Sequence, residues 1–150
     1  MADTGVGLRN SLKRSYAVTD DKEALKLALT PGITGTTVRP GGSEQNAGFG
    51  LFLTKSVAFI NANHFTLVSG KGMYKLLRTS ATKQPRLNRN PFDDRHSLST
   101  VPNWPGVAVG VDISLSPNKD FSELLDLIYT SYSKEVKEQQ KVKYKKPKFV

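Results

Sequence analysis

The sequence contains no cysteine, which excludes disulfide bonds and thiolate metal sites. Its two histidines, His64 and His96, stand alone and lack the spacing of metal ligands. No apolar run approaches the roughly 18 residues that a membrane-spanning helix needs. The first ten residues contain no apolar stretch typical of a signal peptide. These absences favour a soluble cytoplasmic protein with no transmembrane segment.

The composition fits one globular domain with a positive charge. At 150 residues and 37% hydrophobic content, the chain can bury one core, and its net charge is +9. Residues 134–150 hold seven lysines against two glutamates. A basic chain suits an anionic partner, such as a nucleotide or a nucleic acid. The basic residues of 78–106 have no interleaved aromatic residues for stacking, so nucleic-acid binding is the weakest hypothesis.

Hydrophobic periodicity predicts both helices and strands, and therefore the α+β class. Apolar residues recur at helical spacing in some segments and alternate with polar residues in others. The predicted helices are Leu8–Tyr16, Asp20–Leu29, the apolar run after Gly50, and Phe121–Val136. The predicted strands are His64–Ser69, Met73–Leu77 and Val107–Leu115, with a hairpin turn at Gly70-Lys71-Gly72. Val107–Leu115 alternates best and is predicted to be a central strand.

Two irregular stretches divide the predicted domain. Residues 30–48 are rich in glycine and poor in apolar residues, which is typical of a lid or binding loop. Residues 78–106, rich in Pro, Asn, Arg and Ser, are predicted to be an irregular insertion. The expected organisation is a domain over residues 1–116, an amphipathic helix over 117–140, and a basic tail or linker over 141–150.

Glycines stand where the central helix is predicted to begin. Gly48-Phe49-Gly50 precedes the apolar run, so its backbone lies at the positive end of that helix. Unpaired backbone N–H groups at such a position favour an anion, and glycines allow a phosphate to approach closely. A flexible loop capping an ordinary core helix would give the same pattern.

Three motifs follow one another in an order that resembles a known superfamily. They are DTGVG at residues 3–7, a Gly-rich lid leading into GFGLFL at 48–53, and WPGVAVGV at 104–111. Over roughly residues 1–115 this order resembles the histidine-kinase-like ATPases, which include gyrase, sensor histidine kinases and anti-sigma-factor kinases. The resemblance implies their Bergerat-type fold, a two-layer α/β sandwich, here without its N-terminal helix and strand.

The resemblance also implies a nucleotide site. Asp3 matches the aspartate that accepts a hydrogen bond from the adenine amino group, while Gly5 and Gly7 let the chain turn beneath the base. Three further glycines match positions near the phosphates of ATP or ADP: Gly42, Gly48 and Gly50. A carboxylate only accepts hydrogen bonds, so Asp3 would attract the adenine amine and repel the guanine carbonyl.

The chain departs from the family pattern in three places. Val107 stands where the family usually has threonine, and Phe52 stands where many relatives have a small residue. In the family, the Asn that coordinates Mg²⁺ lies on a helix before the Asp-x-Gly-x-Gly turn, whereas this sequence begins at the turn. Mg²⁺ is therefore expected only in the complete domain, and this chain alone is not expected to hydrolyse ATP.

The leading hypothesis is an ATP-binding module of a signalling or regulatory protein, with an adenine nucleotide as ligand. The alternative is a non-catalytic interaction scaffold derived from the same fold. In that case the helix over residues 120–140 would bind a protein partner, and a homodimer would be one such arrangement.

Overall fold

The computed structural model describes residues 1–35, 48–78, 87–88, 90–112 and 121–143. These residues form helices and one antiparallel sheet, so the α+β class is confirmed. The elements in chain order are α1 (Gly7–Leu12), α2 (Asp21–Leu29), α3 (Gly50–Ile60), β1 (Phe65–Leu76), β2 (His96–Val111) and α4 (Phe121–Lys143). Within the described residues, no helix is long and apolar enough to cross a membrane.

Helix α2 begins at a well-formed polar cap. The Asp20 carboxylate accepts a hydrogen bond from the Glu23 N–H (2.8 Å), and the Glu23 carboxylate accepts bonds from the Thr19 N–H and hydroxyl (2.7 and 2.8 Å). The two bonds from Thr19 lower the pKa of Glu23, because they stabilise its ionised carboxylate. The helix ends at Leu29, just before Pro31. Its start and end are therefore those that the sequence predicts.

Strand β1 is longer than predicted because it continues through Gly70-Lys71-Gly72. The predicted hairpin turn at this position is wrong, since β1 pairs with β2 from Phe65↔Val111 to Leu76↔His96. Register shifts flank Gly70, which marks a β-bulge. The buried positions move by one residue across it, from Phe65, Leu67 and Ser69 to Gly72, Tyr74 and Leu76. The irregularity, which lies between Ser69↔Val107 and Gly72↔Thr100, keeps the same face of β1 towards the core.

Gly70 is required at the bulge. Its φ is +59°, and a Cβ at this position would lie 2.6 Å from Oδ2 of Asp21. That carboxylate instead accepts a hydrogen bond from the Lys71 N–H (2.9 Å), which ties the bulge to the start of α2.

Strand β2 also corrects the sequence prediction. It begins at His96 and ends at Val111, so residues 96–106 belong to a strand, paired with β1 at 96–100 and 104, and not to an irregular insertion. Proline and asparagine in this half conceal the strand from a propensity argument. In the described residues the sheet has two strands, and a short N-terminal segment lies against the other edge of β2. Ala2 bridges Ala108 there, and Met1 and Val109 exchange backbone hydrogen bonds.

Helix α3 lies between two apolar clusters. One cluster joins α2, α3 and the sheet, and contains Leu25, Leu29, Ala58, Phe65, Leu67, Tyr74 and Leu76. The other joins α3 to α4 and contains Phe52, Ile60, Leu124 and Ile128. A helix that is apolar on two sides is buried on both, which agrees with the nearly continuous apolar run in its sequence. Phe52 therefore has a packing role in the α3–α4 cluster.

Helix α4 extends the predicted amphipathic segment to Lys143. The Gln139 side chain donates a hydrogen bond to the Pro31 carbonyl (2.9 Å), so the helix also contacts the segment after α2. Residues 144–150 of the predicted basic tail, and residues 36–47 of the predicted lid, lie outside the described residues.

Candidate functional site

The N-terminal turn, residues 3–7, is fixed to strand β2 by Asp3. Its Oδ1 atom accepts hydrogen bonds from the Gly5 N–H (2.9 Å) and the Val107 N–H (3.1 Å). The Asp3 N–H donates to the Val107 carbonyl (2.9 Å), and the indole N–H of Trp104 donates to the Asp3 carbonyl (3.1 Å). Two of the three motifs, DTGVG and WPGVAVGV, thus form one structural unit. The Oδ2 atom of Asp3 has no hydrogen-bond partner among the described residues.

Gly106 makes this contact sterically possible. Its φ is +120°, a conformation that side-chain-bearing residues rarely adopt. A Cβ there would lie 2.4 Å from the Asp3 carbonyl oxygen and 2.7 Å from the Gly5 nitrogen. Any larger residue would therefore push the N-terminal turn away from β2. Val107 contributes its backbone N–H to Asp3.

A cavity of about 510 Å³ opens beside this turn. Its volume falls within the roughly 300–1,000 Å³ that is usual for small-molecule sites. It lies between the N-terminal turn with α1, the start of α2, the β1 bulge, and the segment before Gly106. Its lining residues are Gly5, Val6, Gly7, Arg9, Asn10, Asp21, Ser69, Gly70, Lys71, Asn103, Trp104, Pro105 and Gly106.

Ser69 connects three of the segments that surround the cavity. Its hydroxyl donates to the Gly106 carbonyl (2.7 Å) and accepts a hydrogen bond from the Leu8 N–H (2.9 Å). One buried side chain therefore connects α1, β1 and β2 at the cavity. This arrangement fixes the relative positions of the three segments that line it.

Charged side chains give the cavity its chemical character. Arg9 and Lys71 are cationic, and Asp21 is the one carboxylate in the lining. One guanidinium nitrogen of Arg9, Nη2, donates to the Thr19 carbonyl (2.6 Å). Neither cation forms an ion pair with a described residue. The ion pair that these residues do contain joins Lys55 and Asp94. The lining therefore carries two cations and one carboxylate, with no ion pair between them.

The predicted site residues fall into two groups in space. Gly5 and Gly7 line the cavity, and Asp3 lies next to it on the same turn. Gly48 and Gly50 lie at the start of α3, as the sequence predicts, but they do not line this cavity. The Gly48 carbonyl accepts a hydrogen bond from the Gly32 N–H (3.1 Å), just after α2. Gly42 lies outside the described residues.

Sequence reasoning did not single out Arg9, Asp21, Lys71 or Trp104 as site residues. Lys71 was hidden because Gly70-Lys71-Gly72 has the composition of a turn. Trp104 is the only tryptophan of the chain and is 37% exposed, and its position directly before Pro105-Gly106 was the available signal. Arg9 and Asp21 have no signal in sequence, because only the fold brings them beside the bulge.

Metal-ligating side chains do not cluster in the described residues. No group of three His, Asp or Glu side chains among them could hold a metal ion. His96 stacks on Tyr74 and Phe92 at 5.1 and 4.9 Å between ring centroids, which is a packing role. We therefore assign no step to a metal.

Comparison of the chain with protein-family models, curated proteins and solved structures gives no match. The function of the site must accordingly be argued from its own geometry.

Proposed function

We propose that this chain is an adenine-nucleotide-binding module of the histidine-kinase-like ATPase type, with ATP or ADP as its ligand. The observation that carries the proposal is the N-terminal turn locked onto Gly106 and Val107 beside a cavity of ligand size. The family resemblance connects the same two motifs with the adenine base. The resemblance rests on the order of the motifs in the sequence alone. The contact between the two motifs in space is therefore separate support for the proposal.

Asp3 recognises the base in this proposal. Its Oδ1 atom is committed to two backbone N–H groups, and this fixes the orientation of the carboxylate. Its Oδ2 atom remains available to accept a hydrogen bond from the exocyclic amine of adenine. Guanine presents a carbonyl oxygen at that position, which a carboxylate repels. Adenine preference follows from the charge of Asp3.

The phosphates have two candidate positions. The resemblance implies the start of α3 at Gly48 and Gly50, together with Gly42, where backbone N–H groups favour anions. The cavity offers Arg9 and Lys71 instead. The protein's contribution to any phosphoryl chemistry would be positioning and charge neutralisation. We propose that the chain binds the nucleotide without catalysis and that its fold is a Bergerat-type sandwich.

Asp3→Asn tests the base contact with little structural change. An asparagine oxygen can still accept from Gly5 and Val107, but its amide nitrogen replaces the acceptor that faces the base. We expect ATP binding to weaken by about 1–3 kcal/mol, the usual range for a hydrogen bond to a charged group. Isothermal titration calorimetry with ATP and GTP would measure this, and equal affinity of the native protein for both nucleotides would refute the adenine assignment.

The interaction scaffold remains the second candidate because of exposed apolar side chains on α4. Leu127, Tyr129 and Val142 are 40%, 51% and 74% exposed. A folded protein that binds no adenine nucleotide in the same titrations would favour this function.

A further inference from the structure

The cavity and the start of α3 differ in what they offer to a phosphate group. At the start of α3, Gly48 and Gly50 provide neutral backbone, and the Phe49 side chain turns to α4, where it stacks on Tyr129 at 4.8 Å between ring centroids. The cavity is lined by Arg9 and Lys71, whose side chains carry a guanidinium and an ammonium group. Hydrogen bonds from cationic donors to phosphate are roughly twice as strong as bonds between neutral groups.

The cavity cations share the lining with one carboxylate, Asp21, and neither is paired with it. Asp21 is the carboxylate of the lining, but its Oδ2 atom accepts from the backbone N–H of Lys71. Asp21 also stands in the first turn of α2, where the backbone N–H groups favour its negative charge. Neither the Lys71 ammonium nor the Arg9 guanidinium forms an ion pair with a described residue.

The backbone at the bulge holds Lys71 in place independently of its side chain. The bond from the Lys71 N–H to Asp21 and the pairing of Gly70 with Trp104 both involve main-chain atoms of β1. The ammonium group can therefore be removed by substitution without breaking the contacts that shape the cavity. Arg9, by contrast, also donates to the Thr19 carbonyl and has a structural role.

We propose that the phosphates of the bound nucleotide lie in this cavity, held by Lys71 and Arg9, and not at Gly48 and Gly50. The inference rests on the proposed function, because it assumes an adenine nucleotide whose base contacts Asp3. It differs from the family resemblance in the position of the phosphates. The cavity is continuous with the N-terminal turn through Gly5, Gly7 and Gly106, so a nucleotide at Asp3 can extend into it.

The single tryptophan provides a direct reporter. Trp104 lines the cavity, so its fluorescence is the only tryptophan signal of the chain and originates at the proposed site. Titration of the native protein with ATP should change this emission. Lys71→Gln should weaken ATP binding about three- to tenfold, the effect expected for loss of one partly exposed charge contact. Its affinity for adenosine, which has no phosphate, should be unchanged.

Two control variants distinguish loss of the Lys71–phosphate contact from a general loss of positive charge and from phosphate binding at α3. Lys75→Gln removes the same charge from the same strand, at an exposed position outside the cavity, and should bind ATP as the native protein does. Gly50→Ala should also bind normally. A Cβ at Gly50 meets no heavy atom of the described residues within 4 Å, so this variant should keep its fold while crowding a phosphate at α3. Circular dichroism would verify folding of each variant.

Each contrary result has a distinct meaning. If the native protein binds ATP and Lys71→Gln behaves as Lys75→Gln does, the cavity does not hold the phosphates and the inference fails, while the proposed function stands. Weaker ATP binding by Gly50→Ala alone would also overturn it and place the phosphates at α3. If inorganic pyrophosphate changes the Trp104 emission but calorimetry detects neither adenosine nor ATP binding, the cavity binds a free anion. Both the inference and the proposed function then fail.

Discussion

Lys55 lies in the interior with 1% of its side chain exposed, and its ammonium forms an ion pair with the fully buried carboxylate of Asp94. Asp94 also accepts a hydrogen bond from the Asn88 side chain (2.9 Å), and burial next to Asp94 raises the pKa of the Tyr74 hydroxyl. The pair therefore joins α3 to the segment before β2. A buried charge is tolerated only when its partner is present.

We expect Lys55→Met to destabilise the protein by about 3–5 kcal/mol, because it leaves the Asp94 carboxylate buried and unpaired. Adding Asp94→Asn should recover part of this loss, since the asparagine carries no charge and its oxygen can still accept from Asn88. Urea denaturation of the two single variants and the double variant measures the coupling between them. Strictly additive losses in the double variant would contradict this account.

At the scale of the elements, the docking of the N-terminal turn on β2 decides whether the candidate site exists. We expect Gly106→Ala to weaken ATP binding at least about tenfold, because its Cβ would collide with the Asp3 carbonyl and its φ is unfavourable. Gly110→Ala on the same strand is the control, since among the described residues the nearest atom to its Cβ would be Thr66 Cβ at 4.0 Å. Calorimetry would measure binding, and hydrogen exchange at the Asp3 and Val107 amides would report docking. Equal behaviour of the two variants would argue against a docked turn.

Helix α2 and the β1 bulge show which parts of the fold could be predicted from the sequence and which could not. Helix α2 was predictable because Asp20, Glu23 and Pro31 act within a few residues of it. The β1 bulge was not, because Gly70-Lys71-Gly72 has turn composition. It stays in the strand through contacts with Asp21 and Trp104, which are remote in sequence. The order of the motifs predicts a nucleotide site. Its cationic lining could not be predicted, because the fold brings its residues together from distant parts of the sequence.

At the scale of the whole molecule, α3 connects the sheet to α4. Phe49, the residue before α3, occupies the junction. Its ring stacks on Tyr129 at 4.8 Å and meets the edge of Tyr132 at 4.9 Å between centroids. Leu124 and Ile128 complete the contact on the α4 side. Phe49 therefore contributes aromatic contacts between the start of α3 and two tyrosines of α4.

We expect Phe49→Ala to loosen α4 and to destabilise the protein by roughly 2–4 kcal/mol, somewhat less than for a fully buried phenylalanine because this ring is half-buried. Trypsin should then cleave α4 at Lys134 and Lys137 faster than in the native protein, while β1 and β2 resist. Leu127→Ala is the control on α4, since that side chain is 40% exposed and should contribute little. Unchanged cleavage of α4 in Phe49→Ala would mean that Leu124 and Ile128 alone hold the helix. The cavity beside the N-terminal turn should be unaffected in either case, because no α4 residue lines it.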